Sequence, residues 1–259
     1  MKQSTSKKKL AARKSPAQRK AAPKKPHPAQ KKTVPGEKKT PWGRGPLAPE
    51  RVAAILKLLD EAYPHAETAL HHRSPFELLI ATILSAQTTD VRVNMVTPEL
   101  FRQFPTPEAM AKATLPELEA LVRTTGFYHN KAKSIQGAAR KIVSDFGGKV
   151  PRTLAELITI PGVARKTANV VLGSCFGIAE GIVVDTHVFR IARRLQLASG
   201  DTPEKVEREL MQAIPHDHWI KFSHELILHG RAVCIARKPK CNICSLEPLC
   251  RSKDKTWSS

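Results

Sequence analysis

The chain has 259 residues and a formal net charge of +20, from 43 Lys or Arg against 23 Asp or Glu. No run approaches the roughly 20 apolar residues that a membrane span needs, which excludes an integral membrane protein. An apolar fraction of 41% is ordinary for a globular chain and too high for a wholly disordered one. So much positive charge points to a polyanionic partner, most often nucleic acid.

The charge is concentrated at the start. Residues 1–44 carry fifteen Lys or Arg and one acid, Glu37, a net of +14; the rest of the chain carries +6. Six prolines and almost no large apolar side chain leave this stretch too little surface to bury, so residues 1–46 are expected to be a disordered basic tail. No apolar run follows the basic start, unlike a secretory signal, and the prolines argue against an amphipathic transit helix. Such a tail suits phosphate-backbone binding without sequence readout; a solubilising or targeting role is the alternative.

From about Leu47 the pattern becomes helical. Val52, Ile55, Leu56 and Leu59 recur at i, i+3, i+4 and i+7. Pro75 opens an apolar helix over Phe76–Ser85, and Thr114/Glu117 and Thr153/Glu156 have capping-box spacing. Thr202-Pro203 marks a further helix start. Alternating strand runs are essentially absent, so the expected fold class is all-α with around ten short helices. A faint repeat links Thr114-Leu115-Pro116-Glu117-Leu118 to Thr153-Leu154-Ala155-Glu156-Leu157. Each copy runs through a glycine turn, at Gly126 and Gly162, into a helix bearing Lys131 or Lys166.

The second copy is the most informative stretch. Pro161-Gly162 makes a tight turn, and a new helix starts near Ala164; free N–H groups at such a start form an anion site, for which a DNA phosphate is the natural occupant. Lys166 lies in the first turn of that helix, where the positive helix end and Arg165 both disfavour its ammonium form and partial burial would add to this. A lysine so placed can supply a neutral amine as nucleophile, although spacing alone favours a plain phosphate-binding role. Nineteen residues later comes Asp185, ahead of a helix with Val188, Ile191, Ala192 and Leu195 on its apolar face. It is placed either as an N-cap or as a carboxylate at the mouth of a cleft. His187 either touches a phosphate or packs.

Four of the five cysteines, Cys234, Cys241, Cys244 and Cys250, follow the pattern C-x6-C-x2-C-x5-C. Nothing marks the chain as secreted, which argues against disulfides. Four thiolates so close in sequence can converge on one metal centre. Zinc ribbons combine two C-x2-C pairs, and only one is present; an iron–sulfur cubane is larger and can be wrapped by one short loop. The basic residues crowding this segment allow a loop-fixing role, with charges that meet phosphates. Cys175 is placed as a core residue.

Three of these segments together resemble endonuclease III, the helix-hairpin-helix DNA glycosylase and abasic-site lyase family. They are Leu84-Ser85-Ala86-Gln87-Thr88-Thr89-Asp90, the hairpin Ile160–Ala168 followed by Val184-Asp185-Thr186-His187-Val188-Phe189-Arg190, and the cysteine loop. The resemblance spans about residues 47–251. It implies two helical domains with DNA in the groove between them: a six-helix barrel with the hairpin at 68–179, and an iron–sulfur domain formed by 47–67 and 180–251, with 252–259 as a C-terminal tail. It also implies Lys166 as the nucleophile, Asp185 as its carboxylate partner, and a [4Fe-4S] cluster on the four cysteines. Gln87 matches the wedge that fills the gap left by a flipped base, and Phe127 falls in the second inserting loop. Gly162, Ala164, Arg165, Thr167 and His187 complete the implied DNA contacts. The implied reaction is removal of oxidised pyrimidines from double-stranded DNA through a lysine Schiff base, then β-elimination at the abasic site, by an intracellular, DNA-associated monomer: bacterial cytoplasm or nucleoid, or nucleus or mitochondrion if eukaryotic.

Two positions depart from the family pattern. Ala164 replaces the second glycine of P-G-V-G, and Phe127 replaces a smaller aliphatic residue. An adenine-mismatch glycosylase shares the fold but lacks the lysine. A non-catalytic DNA-binding module would not need Lys166 and Asp185, and an electron carrier would not need the hairpin.

Counterion release gives a slope of about 0.9 per phosphate neutralised. Deleting residues 1–44 should therefore weaken binding to damaged and undamaged duplex by similar factors and flatten the dependence of log affinity on log salt. Titrations at several salt concentrations check this; an unaltered slope would leave the tail a targeting or solubility role.

Overall fold

The structure, a computed structural model, describes residues 45–257. The basic-tail expectation falls almost entirely on residues 1–44, outside the described residues. Among those described there are α-helices, short 3-10 turns and no strand. No described helix is long and apolar enough to cross a membrane.

The helices are α1 (Pro49–Ala62), α2 (Pro75–Leu84), α3 (Asp90–Gln103), α4 (Pro107–Lys112), α5 (Leu115–Val122), α6 (Tyr128–Phe146), α7 (Leu154–Leu157), α8 (Arg165–Phe176), α9 (Thr186–Arg194), α10 (Pro203–Ala213) and α11 (Trp219–Ala232). Their starts follow the side-chain chemistry. Ser74, Thr89, Thr106, Thr114, Thr153 and Thr202 each accept a hydrogen bond from the backbone N–H three residues on. The Thr114/Glu117 pair forms the full reciprocal capping box. At Thr153 the Glu156 carboxylate accepts from the hydroxyl, 2.6 Å away, but not from the backbone N–H.

Two hydrophobic cores divide these helices. The first buries side chains from α2 to α8, among them Leu79, Leu84, Leu100, Ile135 and Leu172. The second joins Val52, Ile55, Leu56 and Leu59 of α1 to Val188 and Ile191 of α9, Leu210 of α10, Phe222 of α11 and Leu249. The four apolar positions of α1 are thus all buried, against helices more than 120 residues away in sequence. Arg51, 1% exposed, pins this arrangement. Its guanidinium donates to Leu249 O at 3.1 Å, to Leu195 O at 2.6 Å and to Pro46 O. Cys175 lies partly buried against the first core.

Both halves of the sequence repeat form a helix, a glycine turn and a second helix: α5 to α6 through Gly126 (φ 69°), and α7 to α8 through Gly162 (φ 80°). Gly162 is constrained twice. Its φ lies in the left-handed region, and an added Cβ would stand 2.9 Å from Ser134 Cβ on α6 and 3.3 Å from Ile83 Cγ2 on α2. Ala164 is different. At φ −88° and ψ 168° it is ordinary extended backbone, so its methyl group meets no conformational penalty.

Gly162→Ala should therefore lower unfolding free energy by about 1–3 kcal/mol. Ala164→Gly, at an N-cap that favours glycine over alanine, should be neutral or slightly stabilising. Urea denaturation of both variants measures the difference, and equal effects would contradict the dihedral argument.

Candidate functional site

The hairpin's second helix begins at Arg165, with Lys166 next, so both sit in the first turn of α8. Lys166 is exposed, and among the described residues its ammonium has no hydrogen bond or ion pair. The partial burial entertained from sequence is absent. Arg165 is engaged sideways. Its Nε donates to both oxygens of Glu207 on α10, at 3.0 and 3.1 Å, and Nη2 donates to Glu180 O at 3.3 Å. Glu207 also accepts from Asn169 Nδ2 at 3.1 Å. The cation beside Lys166 is thus matched by a carboxylate from the second core. Thr167 is half-buried, with no side-chain hydrogen bond among the described residues.

Asp185 is the N-cap of α9. Its Oδ1 accepts from the backbone N–H groups of His187 and Val188, both at 2.8 Å. Its Oδ2 makes no hydrogen bond among the described residues. One carboxylate can therefore hold the helix start with one oxygen and face solvent with the other, so the two roles read from sequence do not compete. His187 packs over Gly230, where an added Cβ would meet its Nδ1 at 2.8 Å. Arg190 Nη2 approaches the same Nδ1 at 3.2 Å. Burial foremost lowers the pKa of His187, with Arg190 and Arg231 adding to this and Asp185 opposing it.

Two further turns of the first core carry exposed side chains. Gln87, between α2 and α3, and Phe127, before α6, are both exposed, and both adopt left-handed backbone, at φ 55° and 48°. Such strain in non-glycine residues persists where the surroundings over-determine it, and it clusters at ligand clamps. Phe127 keeps 68% of its surface exposed, unusual for so apolar a side chain.

The four clustered cysteines line one cavity, together with Arg194, Pro239 and Lys255. Burial foremost pushes the Cys244 thiol up to about 11 and raises Cys250, and the neighbouring cysteines add to both. Such thiols stay protonated at neutral pH unless a cationic centre draws the protons off. Among the described residues no three His, Cys, Asp or Glu side chains converge closely enough to hold a single ion. Polar nitrogens already face the sulfurs. Arg194 Nη1 lies 3.4 Å from Cys234 Sγ, Thr256 N 3.4 Å from Cys241 Sγ, and His229 Nε2 3.5 Å from Cys244 Sγ. Residues 252–257, set apart from sequence as a tail, close over this loop: Asp254 pairs with Arg194 at 2.6 Å and Lys255 with Glu247 at 2.7 Å.

Residues 80–216 match the family described as HhH-GPD superfamily base excision DNA repair protein. Endonuclease III of Synechocystis sp. is 53% identical over 203 residues, 78% of this chain and 93% of that protein. Endonuclease III of Escherichia coli is 46% identical over 201 residues, 78% of this chain and 95% of that protein. The chain belongs to the endonuclease III family. A solved structure of a non-covalent endonuclease III–DNA complex superposes with a TM-score of 0.74 at 43% identity, covering 78% of this chain and 94% of that one. A trapped endonuclease III–DNA covalent intermediate gives the same TM-score and identity. Family membership makes this protein a DNA glycosylase and abasic-site lyase of base excision repair.

Several of these contacts had no signal in the sequence. Glu207 pairs with Arg165 from 42 residues away, Arg190 and Arg194 reach the cysteine loop from about 40, and Lys131 proves to be a buried cation. Only their partners would have disclosed them.

Asparagine caps helices as well as aspartate. Asp185→Asn should therefore leave stability within about 0.5 kcal/mol, whereas Asp185→Ala should cost about 1 kcal/mol. Chemical denaturation decides; no loss in the alanine variant would mean the cap contributes nothing.

Proposed function

We propose that Lys166 is the nucleophile and Asp185 its carboxylate partner in a reaction that removes oxidised pyrimidines from double-stranded DNA and then cuts the strand. The observation that carries this reading is a pair of uncommitted groups. Among the described residues the Lys166 amine has no partner, and Asp185 Oδ2 is free while Oδ1 fixes the carboxylate's direction.

The damaged nucleotide leaves the stack, at a cost of a few kcal/mol that is least for weakly stacked lesions. Gln87 and Phe127 fill the space it vacates, and stacking on Phe127 suits any base. Lys166 Nζ attacks C1′ as the bond to the base breaks. The base leaves with the bonding pair and is protonated, and Asp185 stabilises positive charge on the sugar or takes the amine proton. Ring opening gives a Schiff base between Nζ and C1′. Loss of a C2′ proton then expels the 3′-phosphate, and water releases the lysine. Gly162, Ala164 and Thr167 would hold a backbone phosphate at the hairpin's free N–H groups. His187 and Arg165 stand nearby, the latter after exchanging Glu207 for phosphate. All these groups lie on one chain, in keeping with a monomer acting inside the cell, where its DNA is.

Cys234, Cys241, Cys244 and Cys250 would hold a [4Fe-4S] cluster that fixes their loop. Four thiols around one cavity, with only one C-x2-C pair among them, support this over zinc.

Lys166→Gln should abolish borohydride trapping on abasic-site DNA while leaving affinity within about tenfold, since one exposed charge contributes roughly 1.4 kcal/mol or less. Trapping retained in that variant would assign the nucleophile elsewhere. Purified protein should be yellow-brown and contain iron; a colourless, zinc-bearing, fully active preparation would overturn the cluster assignment.

A further inference from the structure

Lys131 is 5% exposed, in the first turn of α6, and carries an ammonium into the protein interior. Among the described residues no carboxylate pairs with it. Its Nζ donates to Thr88 Oγ1 at 2.6 Å and to Thr125 O at 2.7 Å. Thr88 Oγ1 in turn donates to the same Thr125 carbonyl, which closes a three-membered hydrogen-bond ring. Burial lowers the pKa of this lysine, as it must for a cation with no counter-ion.

A buried, unmatched charge is costly, and a methionine would fill the same space without that cost. What the charge does is visible in the residues that it joins. Thr88 follows Gln87 directly, and Thr125 is separated from Phe127 only by Gly126. Gln87 and Phe127 are forty residues apart, both exposed and both held in left-handed backbone. Among the described residues, every hydrogen bond between these two turns belongs to the ring at Lys131. Thr125 is itself fixed, its hydroxyl donating to Val122 O at 2.7 Å.

We propose that Lys131 is a positioning residue that holds the Gln87 and Phe127 turns as one preset, two-pronged element. The two side chains then meet the duplex together, and no ordering cost falls on binding. This rests on the reading above, in which both side chains enter the gap left by the flipped nucleotide. Lys131 touches no DNA in this scheme. It should therefore govern the preference for a lesion and not the affinity for duplex in general, which separates it from a surface lysine that meets phosphate.

The test compares affinity for a duplex bearing a tetrahydrofuran abasic-site analogue with affinity for the matched undamaged duplex, using the full chain. Lys131→Met should lower that ratio at least about fivefold and leave undamaged-duplex affinity within about twofold. Thr88→Val, which removes the hydroxyl of the ring, should lower the ratio similarly, and the double variant should add little, since both break one ring. Lys131→Arg, which keeps a cation able to donate to both acceptors, should recover part of the loss. Far-ultraviolet circular dichroism confirms that each variant is folded; if Lys131→Met is not, Thr88→Val and Lys131→Arg carry the comparison. An unchanged ratio in Lys131→Met and Thr88→Val overturns the proposal, as does an equal loss on both duplexes. Gln87→Ala and Phe127→Ala separate the two levels of inference. If these lower the ratio and Lys131→Met does not, only the strut fails; if none of them lowers it, the insertion reading beneath it fails too.

Discussion

The grip of two arginines on the cysteine loop organises one side of the molecule. Arg190 donates to the carbonyls of Gly230 and Cys234, and Arg194 to those of Ile235 and Ala236. Both arise from α9, four residues apart and so on one helical face. That helix begins at Asp185. Its nine residues span about 13 Å, and a short helix bends little over such a distance. The loop that carries the four cysteines and the carboxylate that caps α9 are thus two ends of one rigid piece. A centre bound to those cysteines needs no contact with reacting atoms to affect them, because its loop sets where α9 sits.

A comparable economy governs the hairpin. Gly162 allows the turn to press against α2 and α6 without a Cβ in the way, which fixes the hairpin to the first core. Glu207 reaches from α10 to Arg165 and Asn169 of α8 and ties the same hairpin to the second. Lys166 lies between those two residues in sequence. Its helix is held by both cores while its own side chain, among the described residues, is left uncommitted. Asp185 Oδ2 likewise accepts no hydrogen bond among the described residues. A rigid backbone beneath side chains left without partners is what the proposed roles of Lys166 and Asp185 require.

Much of this was legible in the sequence because it is local. The apolar period of α1, the threonine caps, the glycine turns and the aspartate ahead of Val188 each declare themselves within about four residues, the reach of helical hydrogen bonding. The cysteine spacing and the hairpin motif carried the family. What stayed hidden is non-local. Nothing near Arg51 announces that its guanidinium will meet Leu249, 198 residues away, and nothing near Arg165 names Glu207. Lys131 looks like any surface lysine until the Gln87 turn is folded over it. That Ala164 carries no backbone penalty likewise shows only once its dihedrals are known.

The second core has an order of assembly written into it. Its first helix, α1, is made early, yet its partners are α9, α10, α11 and the segment around Leu249. The first core draws on one unbroken stretch from Leu70 to Leu172. As the chain leaves the ribosome that stretch has its apolar core within itself and can close first. Until then α1 has an apolar face and no surface to cover it, and Arg51 has neither of its distant carbonyl acceptors. The loop around the ends of α1 and α9 is the last part to be supplied, and it is the part that bears the cysteines. The packing of that loop is therefore a late event in the life of the chain, coupled to the moment at which α1 meets the segment around Leu249.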